Sequence, residues 1–351
     1  MGVARPLAGA GPGAVRFWVD IANSPHATLF RPLLAELAAR GHDAVVTTWD
    51  RAQTEQLARS FWPDAIPVGA GADSGILAKG LRIRRRARAL AEAVSPHRPG
   101  VALGHNSYAQ LLAARRLGMR SITMMDYEHQ PANHLAFRLA ARVLLPQAYP
   151  EASARRQGAN GKVMRYPGFK EEVTFADFVP DPSFRRSVGV GAADLLVALR
   201  PPPEGALYHR GGNALFDLAV RRVAASGATG LLSPRDGDQA RRFEGFGGNV
   251  RVLERAVDGA NLLFHSDLVI GAGGTMTREA CILKTPSYTL FAGRLAAVDG
   301  ALIDAGRLIR ITSPDELESI VIARKPAGAW HPSRERVEQV ATLIERAATD
   351  R

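Results

Sequence analysis

Residues 266–288 read SDLVIGAGGTMTREACILKTPSY. An apolar strand over Asp267–Ile270 runs into a turn holding Gly271, Gly273 and Gly274, and an apolar helix follows. Glycine lacks a Cβ, so a ligand can approach the backbone of such a turn closely. The first turn of the next helix offers unpaired N–H groups and a partial positive charge, which suits a phosphate. Gly273, Gly274 and Thr275 stand where a phosphate would be held. Glu279, one turn further on, is placed to accept hydrogen bonds from ribose hydroxyls. A dinucleotide fingerprint, G-x-G-x-x-G, fits less well, because Met276 holds the third glycine position. The plain structural alternative is a tight turn that needs glycine for packing, with Glu279 in solvent.

A second group follows the first strand, in DIANSPHATLFRP (20–32), where Asn23, Ser24 and His26 lie between strand and helix. A histidine there can take a proton from a hydroxyl, because its pKa lies near neutrality. The same residues also read as a helix start, with Asn23 or Ser24 as cap, Pro25 at the first position and His26 a bystander. Two loops follow later strands, GHNSYA (104–109) and DYEHQPANH (126–134). The second packs Asp126, Glu128, His129, Gln130 and Asn133 together, either as a site or as a solvated turn. It lacks the two-histidine-plus-carboxylate spacing of a metal-binding helix, so no metal is expected. In RPPPEGALYHR (200–210), Arg200 ends a strand and is placed to clamp a diphosphate. LLSPRDGDQ (231–239) offers Asp236 and Asp238, which read better as helix caps than as metal ligands.

The elements that must position these residues alternate almost throughout. VRFWVDIA (15–22) is a strand, LFRPLLAELAARG (29–41) a helix, DAVVTTW (43–49) a strand and RAQTEQLARSF (51–61) a helix. Short apolar runs between amphipathic helices give parallel sheets covered on both faces. The series pauses over 166–184, which is rich in proline, glycine and charge, and resumes at DLLVALR (194–200). The expected plan is a flexible leader over 1–14, a doubly wound α/β domain over 15–165, a linker over 166–180 and a second such domain over 181–330. A helix within 331–351, with Val337, Val340, Leu343 and Ile344 at helical spacing, is expected to cross back to the first domain. In open α/β sheets ligands bind outside the carboxyl ends of the strands, which is where the residues above fall.

With 351 residues, 46% of them hydrophobic and 23% charged, the chain reads as a soluble protein of two domains. Only five of its 45 basic residues are lysine, a skew that a GC-rich genome explains as well as a phosphate-rich partner does. The densest basic run, RIRRRAR (82–88), lies on a helix; it is either a solvated face or a contact to an anionic membrane through 79–98. It has no interleaved aromatics, so no nucleic-acid partner is expected. A single cysteine, Cys281, precludes an internal disulfide and suits the cytoplasm, including the inner face of the membrane.

Several of these stretches in order, DIANSPHATLFRPLLAELAARGH, MDYEHQPANH, YPGFKEE, LRPPPEGALYHR and GAGGTMTREACILKTPSY, resemble the microbial family called domain of unknown function 354. The resemblance runs from about Val15 to about Thr312. That family is similar to GT-B glycosyltransferases and to the non-hydrolysing UDP-N-acetylglucosamine 2-epimerases. It implies two Rossmann-like domains facing across a cleft. The nearest likeness is to the glucosaminyltransferase that completes the lipid-linked peptidoglycan precursor. By that likeness Gly273 and Gly274 bind the donor diphosphate and Glu279 the ribose. His26 ends the first loop, and Tyr127, Glu128, His129, Gln130 and Asn133 form the acceptor-side loop. Asp299 falls near the donor sugar. The glycine-rich loop of that class after the first strand is here Asn-Ser-Pro.

The resulting expectation is metal-independent and cofactor-free glycosyl transfer. The donor is a nucleoside-diphosphate sugar, UDP-sugar favoured, and the acceptor an unidentified hydroxyl, in cell-envelope or polysaccharide synthesis. His26, or Glu128 in its place, acts as base. Asn23, Ser24, His129, Asn133, Arg200, Gly273, Gly274, Thr275, Glu279 and Asp299 bind substrate. A nucleotide-sugar 2-epimerase on the same fold and a non-catalytic nucleotide-sugar-binding protein are the alternatives.

Overall fold

The computed structural model describes residues 13–50, 52–69, 76–202, 213–255, 257–326 and 330–350. Most of the expected leader, residues 1–12, lies outside them, as do Pro203–Arg210 of the proline-rich motif. The chain divides into two compact units, Met1–Asp177 with Ser333–Arg351, and Phe178–Pro332.

The first unit follows the alternation read from the sequence. Its elements are β1 (Arg16–Ile21), α1 (Ser24–Ala39), β2 (Asp43–Trp49), α2 (Ala52–Phe61), β3 (Ile66–Val68), α3 (Ile76–Val94), β4 (Val101–His105), α4 (Tyr108–Arg116), β5 (Arg120–Met124), α5 (Asn133–Leu139), β6 (Arg142–Pro146), α6 (Glu151–Arg156), β7 (Val163–Tyr166) and α7 (Lys170–Thr174). The seven strands pair in parallel in the order β3-β2-β1-β4-β5-β6-β7. Strand order reverses between β1 and β4, the kind of switch point beyond whose carboxyl ends open α/β sheets bind ligands.

The second unit holds α8 (Phe184–Ser187), β8 (Leu196–Arg200), α9 (Asn213–Ala225), β9 (Thr229–Leu232), α10 (Gly237–Glu244), β10 (Val250–Val252), α11 (Gly259–His265), β11 (Leu268–Gly271), α12 (Gly274–Ile282), β12 (Ser287–Thr289), α13 (Ala297–Asp304), β13 (Ile309–Arg310) and α14 (Pro314–Glu318). Its six strands are parallel in the order β10-β9-β8-β11-β12-β13, with the switch point between β8 and β11.

The last helix, α15 (Glu335–Thr349), belongs to the first unit. Val337, Val340 and Ile344 are fully buried in one core with Leu33 and Leu37 of α1. At about 1.5–3 kcal/mol for each fully buried branched side chain, these three hold the helix with roughly 5–9 kcal/mol. Glu345 adds contacts to Arg40 (2.7 Å) and His42 (2.9 Å).

Two stretches depart from expectation. Residues 166–180, read as a linker, contribute Tyr166 to β7 and contain α7, with Val173 and Ala176 in the core of the first unit. A helix of five residues is too short to show a helical period in sequence. The basic run on α3 is not one solvated face. Arg84, Arg85 and Arg88 are exposed, but Arg86 is buried and forks onto Asp20 of β1 at 2.7 and 2.8 Å. Among the described residues no helix is long and apolar enough to cross a membrane.

Candidate functional site

At the switch point of the first unit, β1 leads into α1 through Asn23, whose backbone is extended and whose side chain makes no capping bond. Asn23 is exposed, and Ser24 instead meets Thr54 across 3.2 Å. The alternative reading of these residues as side-chain caps does not hold; Pro25, with its φ already set for helix, is the second residue of α1. His26 lies in the first helical turn, only 6% exposed. Its ring packs on that of His105, the last residue of β4, with centroids 5.1 Å apart.

His105 Nε2 lies 3.5 Å from Asp126 Oδ1, and Lys170 of α7 donates to Asp126 Oδ2 at 2.5 Å. Burial, then the neighbouring His105 and Lys170, hold the His26 pKa well below the usual imidazole range, against the opposing pull of Asp126. Burial also lowers His105, and Asp126 works against it. Both imidazoles are consequently neutral at neutral pH, and His26 Nδ1 has no hydrogen-bond partner among the described residues. A neutral, unpaired imidazole nitrogen is what a base for hydroxyl deprotonation requires.

The loop after β5 is built around its own polar groups. Asn133 is fully buried and donates to Tyr127 O (2.9 Å) and Tyr149 Oη (3.3 Å). Its amide therefore braces the loop. Gln157 Nε2 donates to Glu128 O at 2.6 Å. The Glu128 carboxylate lies 3.6 Å from His129 Nε2, and the His129 ring stands edge-on to Tyr127. Sequence reasoning quoted the motifs holding His105, Asp126 and Lys170 without assigning these residues a role. The position of His105 at the end of a strand was a usable signal, whereas Lys170 lay in a stretch read as a linker.

At the switch point of the second unit, Arg200 ends β8 directly beside Gly271 of β11. Arg200 Nη1 donates to Ser233 O, Ser233 Oγ and Pro234 O, each at 2.9 Å, so this guanidinium holds the loop after β9. Burial and the charge of Arg235 lower its pKa to about 10, while Glu279 acts in the other direction. The three glycines have different duties. A Cβ on Gly271 would sit 2.8 Å from Thr277 Cγ2, which makes this glycine a packing requirement between strand and helix. A Cβ on Gly273 would sit 2.8 Å from Arg235 Nη2, and one on Gly274 3.0 Å from Arg278 Nη1. Two guanidinium groups thus lie against the turn that opens α12, whose first turn carries Thr275, half-buried like Glu279.

Arg235 was missed because its motif drew attention to its aspartates. Asp236 caps α10 through Gln239 N at 2.9 Å, and Asp238 pairs with Arg241. Asp299 is buried and holds protein donors on both oxygens, Arg278 Nη1 at 3.2 Å and Ala296 N at 3.1 Å. That bonding fixes the start of α13 and the position of Arg278. Among the described residues no group of three His, Cys, Asp or Glu is placed to hold a metal ion.

The fold of this chain has counterparts among known proteins. An uncharacterized protein of Methanocaldococcus jannaschii, MJ0665, is 25% identical over 310 residues, covering 87% of this chain and 90% of that protein. The structure of a UDP-GlcNAc 2-epimerase from M. jannaschii, in complex with UDP-GlcNAc and UDP, superposes with a TM-score of 0.68 at 14% identity, covering 94% of this chain and 99% of that one. A glycosyltransferase from Rickettsia africae superposes with a TM-score of 0.57 at 10% identity, covering 96% and 94%. At such identities the likeness is one of fold, the two-domain GT-B-like architecture. Residues 15–327 match one family model, and the chain belongs to the family described as protein of unknown function, DUF354.

Proposed function

We propose that this chain is a metal-independent glycosyltransferase that uses a nucleoside-diphosphate sugar. The observation that carries the reading is the pair of guanidinium groups, Arg235 and Arg278, lying against Gly273 and Gly274 where α12 begins. Positive side chains and helix N–H groups in one place suit a diphosphate. Glu279, on the same helix, suits the ribose.

In the reaction, His26 takes the proton of the acceptor hydroxyl. The acceptor oxygen forms a bond to the anomeric carbon as the bond from that carbon to the diphosphate breaks. The electron pair of the broken bond leaves with the nucleoside diphosphate, and the charge that develops there meets the basic turn, where electrostatic stabilisation acts. UDP-sugar is the favoured donor, since a structure sharing this fold holds UDP-GlcNAc and UDP.

A second reading, a nucleotide-sugar 2-epimerase, is favoured by the higher TM-score to the epimerase (0.68) than to the glycosyltransferase (0.57). Incubating the protein with UDP-GlcNAc and UDP-glucose, with and without hydroxyl acceptors, separates the two. Acceptor-dependent release of UDP that falls about 10²–10⁴-fold in His26→Gln supports transfer. An epimerised nucleotide sugar formed from donor alone supports the second reading, and absence of any product sinks both.

A further inference from the structure

The turn from β4 into α4 has a feature that the proton transfer above does not use. Asn106 adopts a left-handed backbone, with φ 56°. The next residue, Ser107, donates to Asp20 Oδ2 at 2.5 Å, and Asp20 is itself fixed by Arg86 and by Thr47 at 2.8 Å. Gln110 ties α4 back to Trp18 O at 2.9 Å and Leu103 O at 3.2 Å. The turn is therefore held from several sides.

On this braced turn, Asn106 Oδ1, Tyr108 Oη and His105 Nδ1 are buried without a hydrogen bond of ordinary geometry among the described residues, while His105 Nε2 faces Asp126 Oδ1 at 3.5 Å. Burial pushes the Tyr108 pKa up to about 12, while the side chains of Gln130 and Asn106, which lie beside its hydroxyl, act to lower it. Buried polar atoms are nearly always satisfied, so three such atoms on one short turn call for a ligand or ordered water. His105 is only 6% exposed.

The chemistry of the set narrows the ligand. An amide oxygen accepts, a phenol both donates and accepts, and the remaining imidazole nitrogen, Nδ1, does one or the other according to tautomer. Lys170, the cation that bears on both imidazoles, is countered by Asp126 at 2.5 Å. An uncharged mixture of donors and acceptors matches hydroxyls, each of which does both. A phosphate offers only acceptors and suits cations.

We propose that the β4–α4 turn is a hydroxyl-recognition subsite for a neutral sugar or polyol, with adjacent ligand hydroxyls meeting Asn106 Oδ1, Tyr108 Oη and His105. This rests on the transferase reading and deepens it by naming the class of acceptor. The two variants that test it are conservative. Gly at 106 accepts the positive φ without strain, and Phe at 108 keeps the ring.

The full chain, labelled at His and Tyr, is titrated by NMR with methyl α-D-glucopyranoside and myo-inositol, and separately with inorganic phosphate and UDP-glucose. The expected result is saturable shifts of the His105 and Tyr108 signals with a neutral probe. Binding weakens about tenfold or more in Asn106→Gly and in Tyr108→Phe, while the melting temperature of each variant holds or rises. Residues kept for the fold alone would give a fall in melting temperature and no change in binding, which overturns the proposal. So does a response to phosphate alone, or to UDP-glucose alone, since the hydroxyls recognised would then not belong to a neutral acceptor. UDP binding is measured on the same samples by calorimetry. Neutral probes that bind where UDP does not leave the subsite standing and remove the donor reading; the converse does the reverse.

Discussion

Replacing Arg86 by Met should unsettle the first unit far more than a surface arginine would. Asp20 is fully buried and Arg86 is 1% exposed. Two guanidinium bonds, at 2.7 and 2.8 Å, reach the two carboxylate oxygens of Asp20, and the guanidinium also lies 4.6 Å over the Trp49 ring. Met fills much of the same volume but leaves the carboxylate with only its hydroxyl donors, Thr47 and Ser107. Breaking a buried pair from one side costs about 3–5 kcal/mol, because an uncompensated charge stays inside. For a unit of roughly 200 residues each kcal/mol moves the melting temperature by about 2–4 °C, so the transition should fall by roughly 6–20 °C. Removing both charges, in Asp20→Leu with Arg86→Met, should recover most of that loss. Thermal denaturation followed by circular dichroism measures all three proteins. A single variant that melts within about 2 °C of the parent would mean that the guanidinium is solvated, as the run RIRRRAR suggests on its face, and the reasoning would fail.

Other consequences are as direct. Gly273→Ala sets a Cβ 2.8 Å from the mobile end of Arg235, so the fold should survive with little change in melting temperature while calorimetry shows UDP affinity reduced about tenfold or more. Acid should destabilise the first unit. His26 and His105, faced by Asp126 and by Lys170 and Glu171 of α7, have pKa values lowered in the fold, so the unfolded chain binds more protons below about pH 6.5. Stability is thus present above that pH and is lost as pH falls toward the folded values; urea midpoints between pH 7.5 and 5 should show it, with a shallower slope in His26→Gln. Ile344→Ala should cost about 2–5 kcal/mol, since the side chain is fully buried in the core of the first unit; an unchanged urea midpoint would place the helix outside the core.

How far the amino-acid order alone leads differs from residue to residue. The parallel sheets follow from apolar runs such as VALG and DLLVALR, whose inward sides must be covered by helices. The spacing of Val337, Val340 and Ile344 marked a helix with one buried face, which the structure places in the first unit. Arg86 could not be told from its neighbours Arg84 and Arg85, because its partner Asp20 is 66 positions away and only the fold joins them. The same holds for Lys170 and Asp126, 44 positions apart. Nor does its place in the chain show that the two oxygens of Asp299 meet Arg278 and Ala296 N. Local pattern determines elements; the partners of a buried charge depend on strand order, which no single stretch displays.

The central claim is that the glycine turn before α12 binds a nucleoside diphosphate. Isothermal titration of the full chain with UDP, ADP, GDP and UDP-GlcNAc, beside Glu279→Ala and Arg235→Ala, addresses it directly. Saturable binding of one nucleotide, weakened about tenfold by each substitution, is the predicted result. No heat with any of the four, or binding indifferent to both substitutions, would contradict the account and leave Gly273 and Gly274 as packing residues alone.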